Sequence, residues 1–542
     1  MPTVRDATPP PGAGRRKLPI GIQTFSEIRT GGYYYVDKTA GLRRLIDAGK
    51  HFFLSRPRRF GKSLLVDTLK QLFEGNRPLF EGLAIHDHWD WTVRHPVLRL
   101  DFSGGDFTAP DALPAQVADQ IAAAERRAGL AGAYASLPGR FAGLIEALHQ
   151  QRGQRVVVLV DEYDKPILDA LETPDTARAN RNFLRGLYGT IKSSDAHVRF
   201  TLLTGVSRSR QRGCARGHPS HETASKVSLF SGLNNLMDVT LDPRHAALCG
   251  YTDADLDTVF APELPGLDRN AIRDWYDGYR WVDAETVYNP FDILLLFDRR
   301  EFGAYWFETG TPAFLIDTLV SRGVETFALD GLLGTDELLS SFDVDDVAPE
   351  ALLFQTGYLT IRDVERIDGT RYYRLGYPNR EVRQSLNQSL LRHLVRGASR
   401  GAEPGPRLLA LLRANDFAGL EELFRAFFAG IPHQWHASND IARYEGYYAS
   451  VFYACLAALG LDVRVEDSTS RGRLDLAVAF NDQMYLFEFK VVERAAAGAA
   501  LAQLRDKRYA EKYRGLGAPI HLIGVEFSQA TRGLTAFDVA TD

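Results

Sequence analysis

The chain has 542 residues, a formal net charge of −5, and 45% hydrophobic and 25% charged residues. That composition suits about three or four globular domains at ~100–200 residues each, and the slightly acidic balance gives no global basic field for nucleic acid. Three widely spaced cysteines (Cys214, Cys249, Cys455) argue against a disulfide framework, and no apolar run approaches the ~20 residues of a membrane span.

Residues 1–16, rich in Pro, Gly and Arg, read as a flexible tail. With no apolar signal-peptide core there and few cysteines, a reducing cytoplasm is the expected setting. From 17 to 242, strand-like and helix-like runs alternate, which predicts an α/β domain with a parallel sheet. His51–Leu54 is strand-like and Lys62–Phe73 has helical periodicity. Val97–Phe102 is a short apolar strand, and the aliphatic run Val156–Val160 suits a central strand covered on both faces. Phe200–Leu203 is a further strand. The stretch 243–397 reads as a mostly helical middle region, with aromatic stripes in Ala271–Tyr279 and Phe291–Phe302 and a small hairpin at Tyr372–Leu375. Residues 398–407 fall in a Gly/Pro-rich linker. Residues 408–542 open with a helix, Leu408–Phe428, followed by helix Tyr444–Leu459 and strands Asp462–Glu466, Asp475–Ala479 and Met484–Lys490. Helix Ala496–Tyr513 and strand Pro519–Phe527 close the pattern.

Two sites stand out. In R-P-R-R-F-G-K-S (Arg56 to Ser63), a turn between strand and helix supplies Gly61, Lys62 and Ser63. Backbone N–H groups there point at phosphate, the lysine reaches the β and γ oxygens, and the serine hydroxyl ligates Mg²⁺. Arg56 stands where a first glycine is usual, and Arg56, Arg58 and Arg59 read as charge facing phosphate, with Phe60 in the same loop. The run V-V-V-L-V-D-E-Y-D ends an aliphatic strand in Asp161 and Glu162. Asp161 would hold Mg²⁺ and Glu162 polarise the attacking water of ATP hydrolysis. Thr204, at the end of the next strand, is a candidate γ-phosphate sensor.

The second site lies near the end. Glu488 and Lys490 in Y-L-F-E-F-K share one face of a strand, because side chains alternate. Two charges on such an apolar strand are costly unless they pair with each other or with metal. With Asp475 on the neighbouring strand they read as a Mg²⁺-dependent phosphodiesterase centre. Glu445 is a further metal carboxylate, and Arg471 and Arg473 are candidates for the nucleic-acid backbone. Gln503, Lys507, Tyr509 and Tyr513 lie on the following helix.

The ordered motifs Y-Y-V-D-K-T (Tyr34 to Thr39), R-P-R-R-F-G-K-S, V-D-E-Y-D-K-P-I, T-G-V-S, F-S-G-L-N-N-L, L-C-G-Y-T, W-Y-D-G-Y-R and Y-W-F-E-T-G-T-P resemble the bacterial and archaeal AAA-ATPase-like proteins that carry a C-terminal PD-(D/E)XK nuclease-like domain. The resemblance implies a P-loop NTPase domain, a helical middle and a restriction-endonuclease-like α/β tail. It also makes the arginine-rich loop expected. Ser209–Ala224, arginine-rich with Cys214, His218 and His221, interrupts the pattern as an insertion and reads as a basic loop. The expected activity is ATP-controlled, Mg²⁺-dependent cleavage of nucleic acid, DNA first; no membrane partner is expected, and self-assembly is left open. The alternative is a nucleotide-gated switch whose tail binds nucleic acid or a partner without cutting.

Overall fold

The computed structural model describes residues 15–130, 134–207, 235–308, 313–322, 324–339, 348–394, 404–430, 445–469, 472–492, 498–529, 531 and 533–542. The chain divides into two compact units: 1–309 with 332–379, and 310–331 with 380–542. The stretch 243–397 is therefore shared between them.

In the first unit, β1 (His51–Ser55), β2 (Val97–Asp101), β3 (Val156–Asp161), β4 (Val198–Gly205) and β5 (Met237–Asp238) form one sheet in the order β2-β3-β4-β1-β5. Each neighbouring pair is parallel. β1 and β3 are buried along their whole length, which is why both read as continuous apolar runs rather than alternating ones. The helices Ala112–Ala128, Leu137–Arg152 and Pro174–Ser193 contribute Val117, Ile145, Leu184 and Tyr188 to the core over β3. Helices Arg269–Tyr276 and Pro290–Arg299 bury their aromatic and aliphatic residues in a separate cluster with Tyr34 and Phe260. The expected hairpin is β7 (Thr360–Ile367) with β8 (Thr370–Gly376), extended to three strands by β6 (Leu333–Thr335).

The second unit holds a sheet in the order β13-β12-β11-β10-β9, from β9 (Asp462–Thr469), β10 (Gly472–Phe480), β11 (Gln483–Val492), β12 (Ile520–Ser528) and β13 (Leu534–Thr541). Only β11 and β12 run parallel; the other pairs are antiparallel. Helix Glu445–Ala457 is buried almost all round and packs Tyr448 and Phe452 on Phe487, Phe489 and Phe527. Two expected helices are broken. Leu408–Phe428 is split into Pro404–Ala414 and Phe417–Ala429, because Asn415 is left-handed (φ 51°) and the Asp416 carboxylate caps the Gly419 N–H. Ala496–Tyr513 is regular only over Ala499–Asp506; Arg508 (φ 50°) turns the chain into two short 3₁₀ turns. The insertion Ser209–Ala224 lies outside the described residues. No helix among those described is long and apolar enough to cross a membrane.

Candidate functional site

In the first unit the sheet delivers β1, β3 and β4 side by side, so their C-terminal ends bring Arg56–Ser63, Asp161–Glu162 and Thr204 together. The loop after β1 turns through two left-handed residues, Arg59 (φ 67°) and Gly61 (φ 88°), and the helix Lys62–Phe73 starts at once. Glycine tolerates that backbone without strain. Lys62 is buried and donates from Nζ to the carbonyls of Arg56 and Pro57, each at 2.9 Å. Ser63 is buried beside it.

Asp161 is fully buried and accepts from Thr204 Oγ1 at 2.8 Å on one oxygen. Arg99 Nη2 approaches its other oxygen at 3.2 Å. Arg99 also pairs with Asp101 at 2.7 Å and lies 3.9 Å from Asp67. Glu162 holds a left-handed backbone (φ 52°), a conformation with a cost for a non-glycine residue. Burial raises its pKa, opposed by the positive charges of Lys62 and Arg58. Glu162 and Lys62 are therefore electrostatic neighbours. Asp164, three residues on from Asp161, is structural. Its buried carboxylate accepts the backbone N–H groups of Val206 and Ser207 and ties the ends of β3 and β4 together.

The loop's remaining side chains divide. Arg56 does not face outward as charge for phosphate. It is fully buried and donates to the carbonyls of Ser55, Thr240, His245 and Ala246, with its guanidinium 4.0 Å from the centroid of the Trp281 ring. Burial pulls its pKa down to about 10. Phe60 packs edge-on to Tyr279 and Trp281 as an anchor of the loop, and Arg59 stacks over Phe291 at 4.9 Å. Trp306 donates its indole N–H to the Arg58 carbonyl at 3.1 Å.

In the second unit β10 and β11 place Asp475 next to Glu488 and Lys490. Asp475 Oδ2 accepts the Phe489 N–H at 2.8 Å. Lys490 Nζ stands 3.2 Å from Glu445 Oε2 and 3.7 Å from Glu488 Oε1. Gln503 donates to Glu488 Oε1, while Glu488 Oε2 is buried with no hydrogen-bond partner. Burial first, then the Asp475 charge, pushes the Glu488 carboxyl up to about 8. Burial also raises Asp475. An orphaned buried carboxylate oxygen beside a second carboxylate suits a hard divalent cation. Among the described residues no three His, Cys, Asp or Glu side chains already form a cage for one.

Other expected residues are engaged elsewhere. Arg473 pairs with Glu466 at 2.7 Å, and Arg471 lies outside the described residues. Tyr509 donates to the Arg473 carbonyl at 2.9 Å, bracing the start of β10. Tyr513 donates to Asp467, and Lys507 is exposed.

Comparison with known proteins agrees with both ends of the chain. A family model described as "Predicted AAA-ATPase" (AAA-ATPase-like) matches residues 19–214, and one described as the PD-(D/E)XK nuclease superfamily matches 443–536. A relative from Azotobacter chroococcum mcd 1, named "Uncharacterized protein in vnfD 5'region", is 58% identical over 526 residues, spanning 97% of this chain and 99% of the relative. The chain belongs to the AAA-ATPase-like family with a C-terminal PD-(D/E)XK nuclease superfamily domain. For this AAA-ATPase-like protein, sequence reasoning missed Arg99. The signal was present in V-L-R-L-D: Arg99 and Asp101 share one face of an otherwise apolar strand, the same pattern that exposed Glu488 and Lys490.

Proposed function

We propose that this AAA-ATPase-like protein binds and hydrolyses Mg-ATP in its first unit and uses nucleotide state to control a divalent-metal-dependent nuclease centre in its second, with DNA as substrate. The observation that carries the reading is the Glu488 carboxylate, buried beside Asp475 with one oxygen unpartnered. In its ionised form a buried carboxylate with an unpartnered oxygen beside a second carboxylate is costly, and a divalent cation would offset that cost.

In the first unit Lys62 leaves its two loop carbonyls to reach the β and γ oxygens. Ser63 and Asp161 would hold the metal, and Thr204 fixes the orientation of Asp161. Glu162, its proton affinity raised by burial, accepts a proton from the attacking water. In the second unit Asp475, Glu488 and Glu445 would hold a divalent ion, which when bound neutralises phosphodiester charge and activates water. Lys490 supplies positive charge beside the scissile phosphate once released from Glu445, and Gln503 orients Glu488. In this reading 17–242 serve ATP and 408–542 form the nuclease-like part, while 243–397 is divided between the two units and is not a helical domain of its own. The cytoplasm is the proposed setting.

The Lys490–Glu445 ion pair gives the second reading its support, since a lysine held this way is not yet presented to substrate. In that reading the tail binds nucleic acid without cutting. Supercoiled plasmid incubated with Mg²⁺ or Mn²⁺, with and without ATP, separates the two. Nicking that is lost in Glu488→Ala and altered by ATP in wild type but not in Lys62→Ala supports the first. No nicking under any of these conditions, with DNA still retained, supports the second.

A further inference from the structure

β12 carries a single acidic residue, Glu526, in the otherwise apolar run I-G-V-E-F-S. Glu526 stands opposite Lys490 on the parallel neighbour β11, and Gly524 stands opposite Glu488. Residues two apart on a strand share a face, and so do directly paired residues on adjoining strands. Glu526 and Gly524 therefore lie on the face that bears Glu488 and Lys490. Helix Ala499–Asp506 covers that face. At Gly524 it comes so near that a Cβ would sit 2.3 Å from the Leu501 backbone nitrogen. Glu526 is buried, and its Oε1 accepts the Ala500 N–H at 3.1 Å. That N–H belongs to the first turn, where donors find no partner within the helix, and Gly498 at the cap position has no side chain to offer. One turn further along, the same helix sends Gln503 to Glu488.

We infer that Glu526 is a positioning residue of the proposed metal centre: it fixes the start of helix Ala499–Asp506 over β12, and through the helix it fixes the Gln503 amide on Glu488. The inference rests on the metal-dependent reading of the second unit given above. Gly524 and Glu526 divide the task. Gly524 sets how near the helix lies, because no side chain stands between helix and strand. Glu526 sets where along the strand the helix begins, because a carboxylate is favoured at the positive end of the helix dipole and its hydrogen bond to the N–H is directional. With Gln503 held in place, one oxygen of Glu488 is engaged and the other is left for a cation. Groups that orient a metal ligand typically change metal affinity by ~10–100-fold when removed.

The test is calorimetric titration of the nucleotide-free full chain with Mn²⁺, taking as signal the binding that Glu488→Ala removes. Gln503→Ala is expected to weaken that binding by ~10–100-fold, and Glu526→Ala by a similar factor. Both act through one contact, so the double variant is expected to stay within about twofold of Gln503→Ala alone. Glu526→Gln keeps an acceptor oxygen and loses the charge, and is expected to fall between wild type and Glu526→Ala. Wild-type Mn²⁺ affinity in Glu526→Ala, even with a lowered melting temperature, makes Glu526 a structural cap and overturns the inference alone. So do losses in the two single variants that multiply in the double variant. If Glu526→Ala fails to fold, Glu526→Gln takes its place, and wild-type affinity there overturns the inference. Absence of any Glu488-dependent Mn²⁺ binding in wild type overturns the metal reading itself.

Discussion

Arg99 and Asp161 form an ion pair, 3.2 Å apart, in which the carboxylate is wholly buried and the guanidinium about a quarter exposed. Under the proposed function, the metal of Mg-ATP would take over from Arg99 in neutralising Asp161. A buried carboxylate stripped of its cation is destabilising by ~3–5 kcal/mol, less here because Arg99 is partly solvated and Thr204 still donates. Arg99→Gln is therefore expected to lower the melting temperature of the nucleotide-free protein, and Mg-ATP is expected to restore most of the loss. Thermal unfolding with and without Mg-ATP checks this. An equal loss in both conditions would mean Arg99 is only a structural strut.

Under the proposed function, substitutions at Lys62 and Glu162 are expected to separate binding from turnover. Lys62→Ala should weaken ATP binding and, in the absence of ATP, release the Arg56 and Pro57 carbonyls to water. Glu162→Gln should retain ATP while hydrolysis falls by about 10²–10⁴-fold, the usual range for a general base. Filter binding beside phosphate release distinguishes them. Wild-type turnover in Glu162→Gln would remove it from the chemistry.

Arg56 carries a prediction of stability rather than phosphate affinity. Its guanidinium fans across four carbonyls and the Trp281 ring. Lysine is a point charge that cannot span them. Arg56→Lys should cost about 2–4 kcal/mol, as carbonyls lose donors to a charged group worth ~1.5–3 kcal/mol each in partial compensation. Denaturant unfolding measures it. A variant of wild-type stability with weakened ATP binding would place Arg56 on phosphate after all.

Glu488 should give the second unit a distinctive pH dependence. Its folded pKa, about 8, lies above its ordinary value near 4.5. Between those values the unfolded chain has lost the proton that the folded one keeps, so stability falls as pH rises through that window and levels off above it. Glu488→Gln should flatten the profile and be the more stable protein near pH 8 without metal. Mn²⁺ or Mg²⁺ should raise the wild-type melting temperature at pH 8 and raise that of Glu488→Gln much less. A metal response that survives in Glu488→Gln would move the cation elsewhere.

Much of this architecture was legible because the informative strands are extreme. β3 is five aliphatics ending in Asp161, and only a strand covered on both faces tolerates that. The Y-L-F-E-F-K run announced its site by the cost of two charges on an apolar face. Tertiary contacts were less legible. Nothing local says that Arg56 turns inward, because apart from the Ser55 carbonyl its partners come from Thr240, His245, Ala246 and Trp281, far along the chain. The break at Arg508 was missed because arginine is no helix breaker, whereas Asn415-Asp416 held a readable signal, since asparagine takes left-handed geometry readily and aspartate caps the helix that follows.

The second compact unit takes residues 310–331 from the interior of the chain as well as everything from 380 onward. Leu315, Leu319 and Thr326 of that excursion are fully buried, Thr326 donates to Asn387 at 2.8 Å, and Phe327 meets Tyr453 edge-on. The peptide thus passes from one unit to the other three times. No single cleavage point yields both units whole: a fragment starting at 380 lacks a piece of its own core, and one ending at 309 forfeits the β6-β8-β7 sheet. Dissecting this protein calls for a permuted or co-expressed layout, with 310–331 supplied alongside the tail it completes.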